Sequence, residues 1–182
     1  MTKTETAVHG VFLLDPVLHG DERGFFMEVW NRNTFADLGI PDIFVQDNHS
    51  RSVGGTLRGL HYQIQRPQGK LVRVIAGEVF DVALDLRRSS PTFGKWTGAI
   101  LSEQNRRMMW VPPGIAHGFY VTSAHAEFVY KCTDFYVPQH ERALRWDDPA
   151  LAIAWPLRDG QPPLLSTKDR AGSLLADAEL FD

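Results

Sequence analysis

The stretch from Glu78 to Leu86 constrains the fold of this chain more than any other, because it alternates without a break. Phe80, Val82, Leu84 and Leu86 fall on one face, and Val79, Asp81, Ala83 and Asp85 on the other. A period of two belongs to a β-strand. Further short strand-like runs precede and follow it: Val11 to Leu14, Phe25 to Trp30, Phe44 to Ser50, Leu57 to Gln63, Lys70 to Ile75, Trp96 to Leu101, Arg107 to Val111, His117 to Val121 and Glu127 to Tyr136. Asp15-Pro16, Ala76-Gly77, Pro91 and Pro112-Pro113-Gly114 punctuate them. Many short strands separated by Gly and Pro predict an all-β sandwich or barrel. A short helix is expected from Asn31 to Gly39, with an Asn as N-cap and Gly39 and Pro41 as stops. Another is expected from about Ser166 onward. No repeat, low-complexity segment or linker divides the chain, so residues 1–182 read as a single domain.

A chain of 182 residues suffices for one domain, burying on the order of 70% of its unfolded surface. A formal net charge of -3 gives no general affinity for nucleic acid or an anionic membrane. Cys132 is the only cysteine, which rules out an intramolecular disulfide and fits a reducing, cytoplasmic setting. Met1-Thr2-Lys3-Thr4-Glu5 lacks the apolar core of a signal peptide. No apolar run approaches the roughly 18 residues of a membrane span.

The chemistry concentrates in Leu57-Arg58-Gly59-Leu60-His61-Tyr62-Gln63 and the nearby Lys70. A guanidinium, an imidazole and an ammonium so close together suit a pocket that holds an anion and moves a proton. The competing reading is a surface strand with incidental charges. Pro112-x-Gly114-x-x-His117 matches the second half of the cupin signature, in which a tight turn aims a histidine into the barrel. The first half requires two histidines one residue apart and then a glutamate; here the place reads His61-Tyr62-Gln63. A transition metal needs three or four such ligands. The chain thus resembles a cupin-type double-stranded β-helix, a jelly-roll barrel with a few short peripheral helices, and no metal is expected.

Longer motifs narrow this resemblance. They are Asp21-Glu22-Arg23-Gly24-x-Phe26-x-Glu28, Gln46-Asp47-Asn48-x-Ser50, Leu57 to Gln63, Lys70, Pro113-Gly114-x-Ala116-His117-Gly118-Phe119, Tyr130-Lys131-Cys132-Thr133-Asp134-x-Tyr136 and Leu165-Ser166-x-Lys168-Asp169. In order and spacing they resemble the dTDP-4-dehydrorhamnose 3,5-epimerases, from about Gly10 to Leu175. The resemblance implies a cofactor-independent enzyme acting on a dTDP-4-keto-6-deoxysugar. It implies a homodimer in which N-terminal strands reach into the partner's pocket. His61 matches the family's base and Asp169 the carboxylate that orients it. Tyr130 matches the acid, and Lys70 would stabilise an enolate. Arg23, Arg58 and Lys168 would bind the diphosphate. Glu28, Gln46 and Asn48, with the backbone of Asp47, would read the nucleotide base and sugar hydroxyls. His117 and Glu141 are further substrate contacts.

Each has a plainer reading. Ser166-x-x-Asp169 is also a capping-box pattern, and one side chain is not expected to serve both roles fully. Tyr130 shares a strand face with Phe128 and Cys132 and could be a core tyrosine. Lys70 could be a solvated strand lysine. Arg58 and His61 point to opposite faces of a regular strand, so Gly59 is expected to mark a bulge or bend that brings both into one pocket. The expected reaction inverts carbons 3 and 5 of dTDP-4-dehydro-6-deoxy-D-glucose, giving dTDP-4-dehydro-L-rhamnose. Its rivals are single-carbon epimerisation, keto-sugar isomerisation and non-catalytic binding of a sugar nucleotide.

Overall fold

Most of the alternating runs are strands in the computed structural model, which describes residues 1–40 and 43–182. In chain order they are β1 (Thr2–Glu5), β2 (Phe12–Asp15), β3 (His19–Asp21), β4 (Gly24–Phe26), β5 (Gln46–Val53), β6 (Leu57–Gln63), β7 (Lys70–Ala76), β8 (Glu78–Asp85), β9 (Trp96–Ser102), β10 (Met108–Val111), β11 (Ile115–Val121), β12 (His125–Cys132) and β13 (Glu141–Ala143). Two short helices accompany them, α1 (Arg32–Asp37) and α2 (Thr167–Arg170). Among the described residues, one sheet runs β1-β2-β10-β7-β12-β5 and another β13-β6-β11-β8-β9, with the hairpin β3-β4 apart from both. The pairings within these sheets are antiparallel, and the two larger sheets form a cupin-type double-stranded β-helix.

The two faces of β8 explain its alternation. Val79 and Ala83 belong to the core between the sheets, with Val72, Val74, Met109, Phe119 and Phe128. Val82 and Leu84 face outward, where Leu60, Leu144 and Leu151 and the tail residues Trp155, Leu175 and Phe181 cover them. Burial of each large aliphatic side chain stabilises the fold by about 1.5–3 kcal/mol. A third cluster joins Phe35 and Ile40, at α1, to Leu14, Leu71, Met108 and Trp110. The Asn31 side chain caps α1 by accepting from the amides of Asn33 and Thr34, and the chain leaves the helix through Gly39 at φ +80. Pro41, the second expected stop, lies outside the described residues.

Two expected strands are shorter in the structure. The run from Phe25 to Trp30 is strand only as far as Phe26. Beyond it Trp30 packs edge-on against Phe44, and Glu28 accepts hydrogen bonds from Asn31 and Thr34, so side-chain contacts replace a ladder. The run from Glu127 to Tyr136 ends at Cys132. There Thr133 exchanges bonds with Gly69, its amide donating to the Gly69 carbonyl and its hydroxyl accepting from the Gly69 amide. The expected C-terminal helix is a single turn.

Gly59 is the expected irregularity. His117 lies opposite His61 and Phe119 opposite Arg58, so Gly118 alone faces both Gly59 and Leu60. Gly59 sits at φ +124, and a Cβ there would stand 2.5 Å from the Gly118 Cα and 2.8 Å from the His117 carbonyl oxygen. The extra residue breaks strand parity, and Arg58 and His61 line the same cavity. Gly59→Ala should therefore destabilise the protein by about 3 kcal/mol or more in urea denaturation, through strain and overpacking together. An unchanged midpoint would show that the backbone relaxes freely at this point.

Candidate active site

A cavity of about 530 Å³ opens between the sheets, within the size range of small-molecule sites. Strand period two selects its walls. Gln46, Asn48 and Ser50 project into it from β5, Phe128, Tyr130 and Cys132 from β12, and Lys70 from β7. The facing sheet supplies Arg58 and His61 from β6, His117, Gly118 and Phe119 from β11, and Glu141 from β13. Ser166, Lys168 and Asp169 close one side, and Gln68 and Tyr136 complete the lining.

His61 Nε2 donates to Asp169 Oδ1 at 2.6 Å, an oxygen that also accepts from the Gly59 amide at 3.2 Å. Asp169 Oδ2 accepts from the Ser166 hydroxyl at 2.6 Å, and its amide donates back to Ser166 Oγ. The capping box of α2 and the histidine pair thus coexist, which corrects the expectation that they compete: one carboxylate oxygen serves each. Burial pushes Asp169 up, but the hydrogen bonds from His61, Ser166 and Gly59 outweigh it and hold its carboxyl at about 2. Burial pulls His61 below the ordinary imidazole value, more than Asp169 restores. A neutral His61 that donates through Nε2 keeps Nδ1 as a basic lone pair.

Two further groups lack a hydrogen-bond partner among the described residues, the Tyr130 hydroxyl and the Lys70 ammonium. Burial raises Tyr130, which keeps its proton in place, and lowers Lys70. A half-buried ammonium without a contacting carboxylate gains most when an oxyanion forms beside it. Tyr130 is therefore not the satisfied core tyrosine, nor Lys70 the solvated lysine, of the plainer readings.

At the rim, Arg58 Nε donates to Ser52 Oγ at 2.9 Å. Glu141 accepts from the Tyr136 hydroxyl and from Lys168 Nζ, both at 2.7 Å. Gln46 donates to Asn48 Oδ1, and Asn48 Nδ2 lies 3.5 Å from Cys132 Sγ. Asp47, at the odd position of β5, turns away and pairs with Lys131 at 2.7 Å, so its side chain does not line this cavity. Arg23 and Glu28 are not brought to it either. Arg23 pairs with Asp21 in the β3-β4 turn, and Glu28 holds the start of α1. Strand pattern could not disclose this, because Arg23 lies on a hairpin that pairs with neither larger sheet among the described residues and Glu28 lies beyond it, at the start of α1.

The sequence motifs also passed over Asp81. It is wholly buried, and His117 Nε2 lies 2.9 Å and 3.0 Å from its two carboxylate oxygens. Its signal was present: a carboxylate on the inward face of an apolar strand requires a buried partner. His61 and His117 are cross-strand neighbours, yet each directs Nε2 to a carboxylate. Among the described residues no three His, Cys, Asp or Glu side chains are grouped to hold a metal ion.

The arrangement offers a base on one sheet, a hydroxyl donor on the other and an ammonium beside the latter, β7 being the neighbour of β12. It can remove a proton, stabilise the resulting oxyanion and return a proton from the opposite side.

Comparison with known proteins agrees with this chemistry. The family model described as dTDP-4-dehydrorhamnose 3,5-epimerase matches residues 5–177. A dTDP-4-dehydrorhamnose 3,5-epimerase of Pseudomonas aeruginosa is 58% identical over 100% of this chain and 99% of its own. The crystal structure of a dTDP-6-deoxy-D-glucose-3,5-epimerase from Legionella pneumophila, in complex with dTDP-4-keto-L-rhamnose, superposes with a TM-score of 0.94 at 54% identity, covering 98% of this chain and 94% of that one. A 3′-monoepimerase from Streptomyces bikiniensis in complex with dTDP-quinovose has a TM-score of 0.87 at 32% identity, covering 94% and 86%.

An NMR titration checks the electrostatics without any substrate. His61 should titrate below 6.5, the ordinary imidazole value. Asp169→Asn removes the anion that favours the imidazolium and leaves the burial, so the midpoint should fall further. A rise on substitution would contradict the stated causes.

Proposed function

The chain belongs to the dTDP-4-dehydrorhamnose 3,5-epimerase family, and on that premise we propose that its cavity takes dTDP-4-dehydro-6-deoxy-D-glucose and inverts carbons 3 and 5, giving dTDP-4-dehydro-L-rhamnose. The observation that carries this reading is the placement of His61 and Tyr130 on opposite sheets of one cavity. The 4-keto group acidifies the protons on carbons 3 and 5. His61, oriented by Asp169, abstracts one through Nδ1, and the resulting enolate oxygen meets the Lys70 ammonium. Tyr130 returns a proton from the other face, so the carbon inverts. One base acting alone would return the proton where it came from. Arg58 and Lys168 bind the diphosphate, Lys168 exchanging Glu141 for phosphate. Gln46 and Asn48, with the Asp47 backbone, read the nucleoside, and His117 and Glu141 hold the sugar.

The working unit we propose is a homodimer with exchanged N-terminal segments. The β3-β4 hairpin pairs only with itself among the described residues, and its Phe25 and Phe26 are 56% and 69% exposed. β5 presents a free edge of the larger sheet, and such an edge calls for cover. Exchange brings Arg23 and Glu28 to the neighbouring cavity, which supplies the diphosphate and nucleoside contacts that a chain does not make in its own. Among the described residues no helix is long and apolar enough to cross a membrane, and a cytoplasmic location fits a sugar-nucleotide substrate.

A second reading, inversion at carbon 3 alone, is favoured by the likeness to the 3′-monoepimerase. NMR in deuterated solvent separates the two, because deuterium enters both carbons in the first and one in the second. In the same sample His61→Ala should abolish exchange and turnover together. Tyr130→Phe should keep exchange while product formation falls by about 10²–10⁴-fold, the usual contribution of general acid catalysis. A Tyr130→Phe enzyme that inverts at the wild-type rate, or that loses exchange as fully as His61→Ala, would overturn the assigned roles.

Complementation tests the arm. Arg23→Ala and His61→Ala chains, each impaired alone, should recover activity when unfolded and refolded together, because a mixed dimer contains one intact composite site. No recovery in refolded mixed dimers would place Arg23 outside the partner's site.

A further inference from the structure

Asp81 lies in the middle of β8, wholly buried between Val79 and Ala83 on the inward face of the strand. The surrounding cluster is apolar but for His117 and the nearby Lys70, whose ammonium favours the Asp81 anion. A hydrophobic side chain of similar size would fill the place without the cost of desolvating a carboxylate. The fold alone therefore does not call for a charge there. Both Asp81 oxygens converge on the single atom Nε2 of His117. The His117 ring also stacks against Phe128, with centroids 6.1 Å apart and planes 29° apart, so it is held by one face and one nitrogen. Its Nδ1 makes no hydrogen bond among the described residues, and the ring lines the cavity.

We propose that Asp81 is a positioning residue for the reaction: it fixes His117 as the Nε2–H tautomer, so that Nδ1 is presented to the bound hexose as a hydrogen-bond acceptor. This rests on the epimerase reading above. An acceptor nitrogen takes a hydrogen bond from a sugar hydroxyl and cannot donate to the keto oxygen, which leaves that oxygen to Lys70. His117 then fixes the ring against the His61 base without competing for the enolate. Asp81 itself touches no substrate and acts through His117.

¹⁵N NMR of the ligand-free enzyme reads the tautomer directly and needs no turnover, so it stands even if the substrate assignment fails. Expected is a His117 protonated at Nε2 and bare at Nδ1 at neutral pH; a proton on Nδ1 would overturn the proposal. Asp81→Asn leaves one amide oxygen opposite Nε2 in place of a carboxylate, a weaker acceptor, and should loosen the preference for the Nε2–H tautomer. Turnover should fall about tenfold or more, the order of loss found when a functional histidine loses the partner that orients its ring. Affinity for dTDP, which carries no hexose, should be unchanged in calorimetry. In a His117→Gln background Asp81→Asn should cost nothing further. Wild-type turnover in Asp81→Asn, or losses that multiply in the double variant, would show that Asp81 does not act through His117. If Asp81→Asn does not fold, the wild-type tautomer still decides the matter.

Discussion

The hydrogen bond between His61 and Asp169 ties the end of the chain to the middle of the barrel, and the site depends on it. The two residues are 108 positions apart, one on β6 and the other in the one-turn helix α2. A helix of four residues has no stability of its own. It exists because Ser166 and Asp169 satisfy its first amides and because the tail packs over the outward face of β6 and β8. The carboxylate that caps the helix is the carboxylate that holds the base. Catalytic geometry and docking of the tail are thus one packing problem.

The cavity is a place where ordinary stabilisation is withheld. Among the described residues Lys70 and Tyr130 face it without hydrogen-bond partners, while the Arg58 and Lys168 side chains are held by Ser52 and Glu141 at the rim. Desolvation lowers the Lys70 ammonium and raises the Tyr130 phenol. The Lys70 shift destabilises the empty protein at neutral pH, where the unfolded chain carries the ammonium at no cost, whereas Tyr130 is neutral in both states. Both groups become useful once a substrate brings an oxyanion and a carbon to protonate. A rim cation held by one hydroxyl or one carboxylate can change partner for a diphosphate, which offers charged oxygens in exchange.

The barrel supplies what these groups need, which is opposition. His61 and Tyr130 come from different sheets, and Phe119 and Phe128 stack at 4.3 Å in the core beneath, keeping the walls apart at a fixed spacing. The bulge at Gly59 then admits Arg58 to the same cavity as His61. A regular strand would have offered one or the other.

Local pattern in the sequence determined most of the longer strands, an Asn cap before the first helix and the faces of β8, since period and capping depend only on near neighbours. The short strands β1, β3 and β13 carry too few residues to show a period. It also pointed to His61, Lys70, Arg58 and Tyr130, because residue types that carry charge or protons are rare on apolar strands. Only the tertiary structure decided how these groups divide their work. Nothing local pairs Asp81 with His117 or lets Asp169 serve both a helix and a base, because each bond crosses between elements distant in sequence. Alternation along β5 sends Asp47 opposite to Gln46 and Asn48, but which face of the strand forms the cavity wall was a tertiary matter. Arg23 stays on the β3-β4 hairpin, which among the described residues pairs only with itself, and Glu28 stays at the start of α1, so neither reaches the cavity of its own chain.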